Sequence, residues 1–265
     1  MKCCICGTVR NCEKYLDQIF KNMEKIGSLF DEYVIILYYD PSDDNTLQKI
    51  QDYKLINDRV VVYKNKEDLS PYRTHRIAKG RNICLKYMKA RHADTNMFIM
   101  MDCDDVCSAD IKLEVLQKYL HRDDWDSLSF NKPNYYDLWA LSIRPYIFSF
   151  VHFNPEPRAE MTNYITQKLK DVPKDGLLEC HSAFNGFAIY KMNKFANCKY
   201  SGNIRLDLIP PEYIEENIKI NNSPIVYHPK RWLDIQNEDC EHRSFHMDAI
   251  KKNDAKIRIS PEILF

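Results

Sequence analysis

Acidic residues that could bind a metal ion are concentrated in the stretch FIMMDCDDVC, residues 98–107. An apolar run there leads into Asp102, Asp104 and Asp105. Alternate residues of an extended segment point to the same side, so the Asp102 and Asp104 carboxylates are expected to face one ion. Oxygen ligands of this kind suit Mn²⁺ or Mg²⁺, which keep further positions for water and for substrate phosphate. The pattern therefore predicts a cation site that stabilises a diphosphate leaving group, with Asp102 and Asp104 as metal ligands.

The same residues are compatible with other kinds of site. D-x-D-x-V after an apolar strand is also the signature of haloacid dehalogenase-like phosphatases, in which Asp102 would be the nucleophile and Asp104 the acid–base group. In that family the motif usually follows the first core strand, whereas here it follows the fourth predicted strand. Cys103 and Cys107 would allow a mixed thiol–carboxylate metal site. Aspartates also end strands and cap helices without any catalytic role.

The ten cysteines favour buried, reduced thiols over a disulfide framework. A chain of 265 residues with 45% hydrophobic content can form a large core and does not need disulfides for stability. The tightest group lies in CCICGTVRNC, residues 3–12. A zinc site there would require a second ligand pair at a matched spacing, and no such pair stands out.

Charge and hydropathy exclude several classes of partner. Lys and Arg number 38, and so do Asp and Glu, so no net charge argues for nucleic acid or an acidic membrane. No apolar stretch reaches the roughly 20 residues of a membrane span. The chain also starts without the apolar segment and cleavage site of a signal peptide. We therefore expect a soluble, cytoplasmic protein with no nucleic-acid partner and no membrane span.

The first half alternates between apolar runs and amphipathic segments, and the predicted strands lie at residues 3–9, 33–40, 59–65 and 96–102. Continuous apolar strands separated by helices predict a mostly parallel sheet covered on both faces, with ligands at the carboxyl ends of the strands. Beyond about residue 130 aromatic and proline-rich stretches replace the alternation. We expect one α/β/α sandwich over residues 1–265, in which residues 131–265 elaborate the sheet formed by residues 1–130.

The six glycines exclude two common ways of binding phosphate. None belongs to a G-x-G-x-x-G fingerprint or to a G-x-x-x-x-G-K-[ST] loop, so a dinucleotide-binding dehydrogenase or a P-loop NTPase is not expected. A nucleotide bound here would need another partner for its phosphates, and a divalent cation held by acids would serve.

Three motifs in order resemble those of GT-A fold glycosyltransferases. VIILYYDPSDDNT resembles the second-strand motif D-G-S-x-D-x-T, and the matching residues are Asp40, Ser42, Asp44 and Thr46, with Pro41 in place of the glycine. RIAKGRN resembles the A-R-N helix after the third strand, with Arg81 and Asn82 matching. FIMMDCDD stands where the fold carries its D-x-D metal motif. Later stretches (YYDLWALS, FNGFAIYKM and EDCEHRSFH) are similar to those of fungal capsule-associated α-mannosyltransferases and related glycosyltransferases of large DNA viruses.

The resemblance implies a nucleotide-sugar site built mainly by residues 1–130. Asp40 would contact the base or ribose, with Ser42 and Asp44 holding the turn of the nucleotide pocket. Arg81 would face the diphosphate or pair with Asp102. The cation would be Mn²⁺ or Mg²⁺.

A late histidine would complete the metal shell, since GT-A enzymes commonly use a C-terminal histidine or acid there. In NEDCEHRSFHMDA, His242 and His246 lie one turn apart if the stretch is helical. His242 is the favoured ligand.

Residues 131–265 would bind the acceptor, a glycan or a protein. Asp137 beside Trp139 could bind sugar hydroxyls and an aromatic sugar face. Asn185 and Gly186 could bring backbone close to the donor sugar.

Catalytic roles are predicted for three acids, Asp137, Asp239 and Glu241. An inverting mechanism needs a general base, for which Asp239 and Glu241 are candidates. A retaining mechanism needs a group on the other face of the sugar, and both mechanisms stay open.

The resulting prediction is a metal-dependent transferase that moves a hexose from a UDP- or GDP-sugar to an acceptor hydroxyl. Two alternatives remain: the phosphatase, and a non-catalytic GT-A domain that binds a carbohydrate or a protein partner.

Overall fold

The computed structural model describes residues 1–67, 70–226 and 238–265. Its strands are β1 (Lys2–Val9), β2 (Glu32–Tyr39), β3 (Val60–Lys64), β4 (Met97–Met101), β5 (Ser127–Asn131), β6 (Leu178–Cys180), β7 (Phe187–Lys191) and β8 (Ile257–Ile263). They form one sheet in the order β3-β2-β1-β4-β7-β5-β8-β6. The first four strands pair in parallel, and β7 joins the sheet antiparallel to both β4 and β5.

The helices cover both faces of this sheet. They are α1 (Glu13–Gly27), α2 (Thr46–Ile56), α3 (Arg73–Arg91), α4 (Leu113–Gln117), α5 (Arg158–Lys170), α6 (Met192–Phe195), α7 (Pro211–Asn221) and α8 (Glu241–Asn253). Apolar residues of α1 and α2 pack on one face, and those of α3, α5 and α8 pack on the other. The predicted single-domain α/β/α sandwich is confirmed.

Burial explains why the central strands read as continuous apolar runs. All five residues of β4 are buried, and so are the last six of β2, because helices cover both faces of the sheet. The ten cysteines are buried too, as the sequence predicts.

The fourth helix is shorter than the helical pattern of ADIKLEVLQKYL, residues 109–120, predicts. Backbone N–H groups that would lie in its first turn are bonded elsewhere: Ile111 N donates to Asn22 Oδ1 at 3.3 Å, and Lys112 N donates to Leu264 O at 2.9 Å. Tertiary hydrogen bonds therefore delay α4 to Leu113, and a short 3₁₀ turn at Asp105–Cys107 follows the acid motif instead.

Across the described ranges, none of the helices combines the length and the apolar composition that crossing a membrane would require.

Candidate active site

Two adjoining cavities lie at the carboxyl ends of the parallel strands. The first, here called the strand-end cavity, has a volume of about 310 Å³ and is lined by residues that follow β1, β2 and β4. The second, here called the aromatic cavity, has a volume of about 260 Å³ and receives residues from loops after β5, from α5 and from α8. Arg73, Ile77 and Asp102 line both cavities, so Asp102 lies at their boundary.

The acid motif is fixed by its backbone as well as by its side chains. Asp102 N donates to Gly186 O at 2.8 Å, which ties the end of β4 to the turn before β7. Asp104 Oδ1 accepts from Val106 N at 3.2 Å and so caps the 3₁₀ turn. Asp102 and Asp104 both line the strand-end cavity, whereas Asp105 is exposed. The turn therefore presents two of the three aspartates to one space.

The charges of the acid motif leave room for a cation. Burial raises the pKa of Asp102 to about 7, with Arg81 opposing the rise and Asp104 adding to it. Burial also raises the pKa of Asp104. Two partly buried carboxylates with raised pKa values suit a divalent cation, because such an ion would stabilise both charged forms.

The chain itself supplies only part of a metal shell. In the described ranges there is no group of three His, Cys, Asp or Glu side chains that could hold a metal ion. Asp102 and Asp104 fit a hard cation whose other positions are filled by water and phosphate oxygens.

Both ring nitrogens of His242, the predicted metal ligand, have partners within the protein, and its role as a ligand stays a prediction. Arg81 contacts His242 Nε2, and an arginine can only donate, so this nitrogen accepts. Burial and the charge of Arg81 lower the pKa of His242 well below its usual value. The neutral ring then carries its proton on Nδ1, which lies 3.4 Å from the Tyr190 hydroxyl. With these partners, neither nitrogen has a lone pair left for a metal ion.

The hydrogen-bond partners and the protonation state of His246, the second candidate metal ligand, follow by the same reasoning. Tyr190 Oη lies 3.1 Å from His246 Nε2, and His246 Nδ1 lies 2.9 Å from Ser182 Oγ. Burial lowers the pKa of His246 to about 3, so this ring is neutral as well. Because Arg81 can only donate, each group donates to the next: Arg81 to His242, His242 to Tyr190, Tyr190 to His246 and His246 to Ser182. We call this series of hydrogen bonds the Arg81–Ser182 chain.

Arg81 pairs with Asp102, which is one of the two positions that the resemblance implies for it. Its Nη2 lies 3.1 Å from Asp102 Oδ1, and its Nη1 contacts Glu241. The guanidinium lies over the ring of Phe184 at 4.6 Å and is only 4% exposed. Glu241 and His242 thus hold Arg81 against Asp102.

The second-strand motif divides into one cavity residue and two turn residues. Asp40 lines the strand-end cavity, and burial raises its pKa despite Asn65 and two nearby arginines. Ser42 Oγ accepts from Asn11 N at 3.0 Å. Asp44 caps α2 by accepting from Thr46 N at 3.0 Å. Ser42 and Asp44 therefore lie behind the cavity and hold its wall in place.

Asp137 and Trp139 both line the aromatic cavity, where Tyr136, Phe150 and Phe184 supply further rings. The two oxygens of Asp137 accept from the backbone N–H groups of Ala140 at 3.2 Å and Asn185 at 3.1 Å. Burial raises the pKa of Asp137. This carboxylate is thus oriented by the backbone and has no cation paired with it among the described residues.

Asn185 and Gly186 form a turn with positive φ values of 57° and 87°. Asn185 Nδ2 donates to Phe130 O at 3.0 Å, and Gly186 O accepts from Asp102 N. A Cβ on Gly186 would lie 2.2 Å from Val106 Cγ1. The turn supports the acid motif from behind, and its predicted approach to a donor sugar stays a prediction.

The two late acids differ in position. Glu241 lines the aromatic cavity and pairs with Arg81. Asp239 is 2% exposed, and its Oδ2 accepts from Arg243 Nε at 3.0 Å. Arg243 also donates to the backbone of the 139–147 segment, which fixes the start of α8 against that loop.

Comparison with known proteins agrees with this arrangement. A family model described as Glycosyl transferase family 2 matches residues 4–192, more than half of the chain. The chain belongs to glycosyltransferase family 2. Its sandwich is of the GT-A type, and family membership removes the haloacid dehalogenase alternative.

Solved structures that match this family 2 chain share little sequence with it. TarS from S. aureus in complex with UDP-GlcNAc is 16% identical, with a TM-score of 0.49, over 100% of this chain and 57% of that one. A mannosyltransferase from Pyrobaculum calidifontis in complex with GDP-Man and Mn²⁺ is 12% identical, with a TM-score of 0.44, over 84% and 54%. Glucosyl-3-phosphoglycerate synthase from Mycobacterium tuberculosis, in complex with Mn²⁺, UDP-Glc and phosphoglyceric acid, is 9% identical, with a TM-score of 0.45, over 82% and 62%. The family 2 chain therefore spans less than two thirds of each. A comparison with curated proteins gives no match.

Sequence reasoning missed the arginines of the strand-end cavity in this family 2 chain, which are Arg10, Arg73 and Arg76. Two of them lie in the first turn of α3, which contains no acid. Acidic residues are favoured at a helix N-terminus, whereas positive charge is unfavourable there unless an anion binds nearby. The basic residues of YRTHR could therefore have predicted an anionic ligand from the sequence. Burial and Arg10 lower the pKa of Arg76, which shows that positive charge is crowded there.

Proposed function

We propose that this chain transfers a sugar from a nucleoside-diphosphate sugar to an acceptor hydroxyl, with Asp102 and Asp104 holding a divalent cation. The observation that carries the proposal is the position of this acid pair. It lies at the boundary between a cavity lined by arginines and a cavity lined by aromatic rings. The first suits a nucleoside diphosphate and the second suits a sugar acceptor.

On the donor side, the strand-end cavity supplies both charge and hydrogen bonds. Arg10, Arg73 and Arg76 would attract the diphosphate. Asp40, at the end of β2, would accept from an N–H of the base or a hydroxyl of the ribose. A Mn²⁺ or Mg²⁺ ion on Asp102 and Asp104 would stabilise negative charge on the departing diphosphate. Residues 1–130 would thus act mainly on the donor.

On the acceptor side, residues 131–265 would position the attacking hydroxyl. Rings such as Trp139 would pack against the sugar, and Asp137 would accept the hydroxyl proton in an inverting reaction. Asp137 is favoured over the other predicted bases because it lines the cavity, is oriented by two backbone N–H groups and has a raised pKa. Asp239 and Glu241 are each paired with an arginine.

The donor we propose is a UDP- or GDP-hexose, and the acceptor a glycan or protein. The resemblance of the later motifs to fungal capsule-associated and viral glycosyltransferases does not identify the sugar, so the test below includes several hexoses.

A thermal-shift panel tests the proposal. UDP, GDP, CDP and their hexose conjugates are added with and without Mn²⁺, and we expect one nucleotide to raise the Tm only when the cation is present. Asp104→Ala should abolish that shift while the Tm of the free protein stays within a few degrees. Asp248→Ala, which alters an exposed ion pair with Lys252 on α8, is the matched control.

Two results would contradict it. If no nucleotide shifted the Tm, the chain would be a non-catalytic domain. If Asp104→Ala kept the Mn²⁺-dependent shift, Asp104 would not be a metal ligand.

The base is tested by Asp137→Asn with the donor that the panel identifies. We expect turnover to fall at least about 100-fold, with the KM for the donor little changed, because general base catalysis contributes a factor of this order. Asp239→Asn is the comparison, and it should lower the Tm because Arg243 loses its partner. The general base would be Asp239 and not Asp137 if Asp239→Asn lost turnover at a native Tm while Asp137→Asn kept full turnover.

A further inference from the structure

The acids on the wall of the aromatic cavity already have partners. Asp102 and Glu241 pair with Arg81, and Asp137 accepts from two backbone N–H groups. A ligand in this cavity therefore meets three carboxylates together with three guanidinium groups, those of Arg73, Arg81 and Arg158. Negative charge on the wall does not exclude an anionic ligand.

Hydrogen-bond donors on the same wall are less well satisfied. Trp139 Nε1 is buried and has no hydrogen-bond partner within the described chain. Arg158, the first residue of α5, lines the cavity and lies over the ring of Phe150 at 4.7 Å. Within the described ranges its ion pair is a long contact of 3.7 Å from Nε to Glu156.

Two other arginines of this protein, Arg122 and Arg205, are bound much more tightly. Arg122 contacts Asp124 through Nε at 3.0 Å and Nη2 at 2.5 Å. Arg205 contacts Asp207 through the same two nitrogens at 2.7 and 2.6 Å. Arg158 has no such two-point contact with any residue that the structure describes, so the planar edge of its guanidinium is available to a ligand.

We propose that the acceptor of this protein carries an anionic group, a phosphate or a carboxylate, and that Arg158 binds it. The proposal rests on the glycosyl-transfer function above. The rings of Trp139 and Phe150 contact the sugar, the Trp139 N–H donates to it, and Arg158 selects its charge. A guanidinium forms paired hydrogen bonds with phosphate or carboxylate, whereas a neutral hydroxyl gains little from it.

The experiment measures sugar binding after the donor site has been filled. The protein is saturated with Mn²⁺ and the nucleoside diphosphate found in the thermal-shift panel, so that anions do not bind in the strand-end cavity. Glucose 6-phosphate, methyl glucuronide and methyl glucoside are then titrated by calorimetry. They represent a phosphate, a carboxylate and a neutral acceptor.

We expect at least one anionic sugar to bind about tenfold or more tightly than methyl glucoside, since a charge-assisted contact contributes at least this much. Arg158→Ala should remove the difference, and Arg158→Lys should keep part of it because the charge remains. Arg205→Ala, which removes a partly exposed arginine outside the cavity, should leave the preference unchanged. Circular dichroism of each variant checks that the fold is intact.

Equal affinities for the three sugars, binding of none of them, or an unchanged preference in Arg158→Ala would overturn the inference. These results differ from a failure of the proposed function, which would already show as no nucleotide binding in the first step. A preference for only one anionic sugar would distinguish phosphate from carboxylate and support the inference.

Discussion

At the scale of single residues, Arg81 organises the candidate site. It pairs with Asp102 and Glu241, and it begins a series of hydrogen bonds through His242, Tyr190, His246 and Ser182. Because arginine has no acceptor, the direction of every bond in the Arg81–Ser182 chain follows from this one residue. The two histidines that the sequence offers as metal ligands lie in this series, next to the arginine that pairs with Asp102.

Asp102 should reduce the stability of the metal-free protein at neutral and alkaline pH. Its folded pKa of about 7 lies above the ordinary value, so the folded state binds the proton more tightly than the unfolded state does. The stability linked to this proton is fully present below about pH 4 and is lost as the pH rises to about 7. Asp102→Asn, which cannot ionise, should therefore raise the Tm at pH 8 by about 3 °C or more in EDTA.

The same variant should show little gain near pH 4 and should no longer bind Mn²⁺ with the nucleotide. A scanning calorimetry series from pH 4 to 8 makes the comparison. A lower Tm for Asp102→Asn at pH 8 would show that the Arg81 contact outweighs the cost of burying the charge.

At the scale of elements, the acid motif depends on the turn before β7. Antiparallel pairing of β4 with β7 places Gly186 O beside Asp102 N, and the positive φ of Gly186 lets the turn pass close to Val106. The sequence separation between these strands is large, so no local pattern around the aspartates reveals the support.

Gly186→Ala should damage both the fold and metal binding. Its Cβ would overlap Val106, and an alanine at this φ is strained, so a loss of about 1–3 kcal/mol of unfolding free energy is expected. Displacement of the 3₁₀ turn should also weaken Mn²⁺-dependent nucleotide binding, measured by calorimetry.

Gly27→Ala in α1 is the matched control, because its Cβ would lie 2.5 Å from the ring of Tyr33 and away from both cavities. It should lower stability without changing nucleotide affinity. Unchanged affinity in Gly186→Ala, at a similar loss of stability, would refute the proposed support.

At the scale of the whole molecule, the two halves of the chain share one sheet. β7 comes from the second half and lies between β4 and β5 of the first half, and β8 continues the sheet beyond β5. The core on the α3 side combines residues of both halves. The proposed donor half and acceptor half would thus differ in function but belong to a single folding unit.

A fragment of residues 1–130 should not fold by itself. Without β7, the five buried apolar residues of β4 would form an exposed edge, which favours aggregation. Circular dichroism and amide exchange of the purified fragment, compared with the full chain, test this. Co-expression of residues 131–265 should restore a soluble complex, whereas a well-folded isolated fragment would show that the first half is independent.

The sequence by itself determined the α/β sandwich and the alternation of the first four strands and helices along the chain. It also placed Asp40 and Asp102 at strand ends. These features are local, since they follow from apolar periodicity and from residues adjacent to a strand. The resemblance to GT-A glycosyltransferases implies two alternatives for Arg81, facing the diphosphate or pairing with Asp102, and the structure contains the pair.

Tertiary structure alone decided what the later residues do. His242 could bind a metal ion and Asp239 could act as a base, judged by residue type alone. In the fold, His242 contacts Arg81 and Asp239 binds Arg243. These contacts result from the packing of α8 against α3 and the 139–147 segment. Arg158 joins the cavity in the same way, from a helix whose sequence carries no motif. A side chain's type sets the hydrogen bonds that it can form, but its long-range neighbours determine which of them remain available to a substrate.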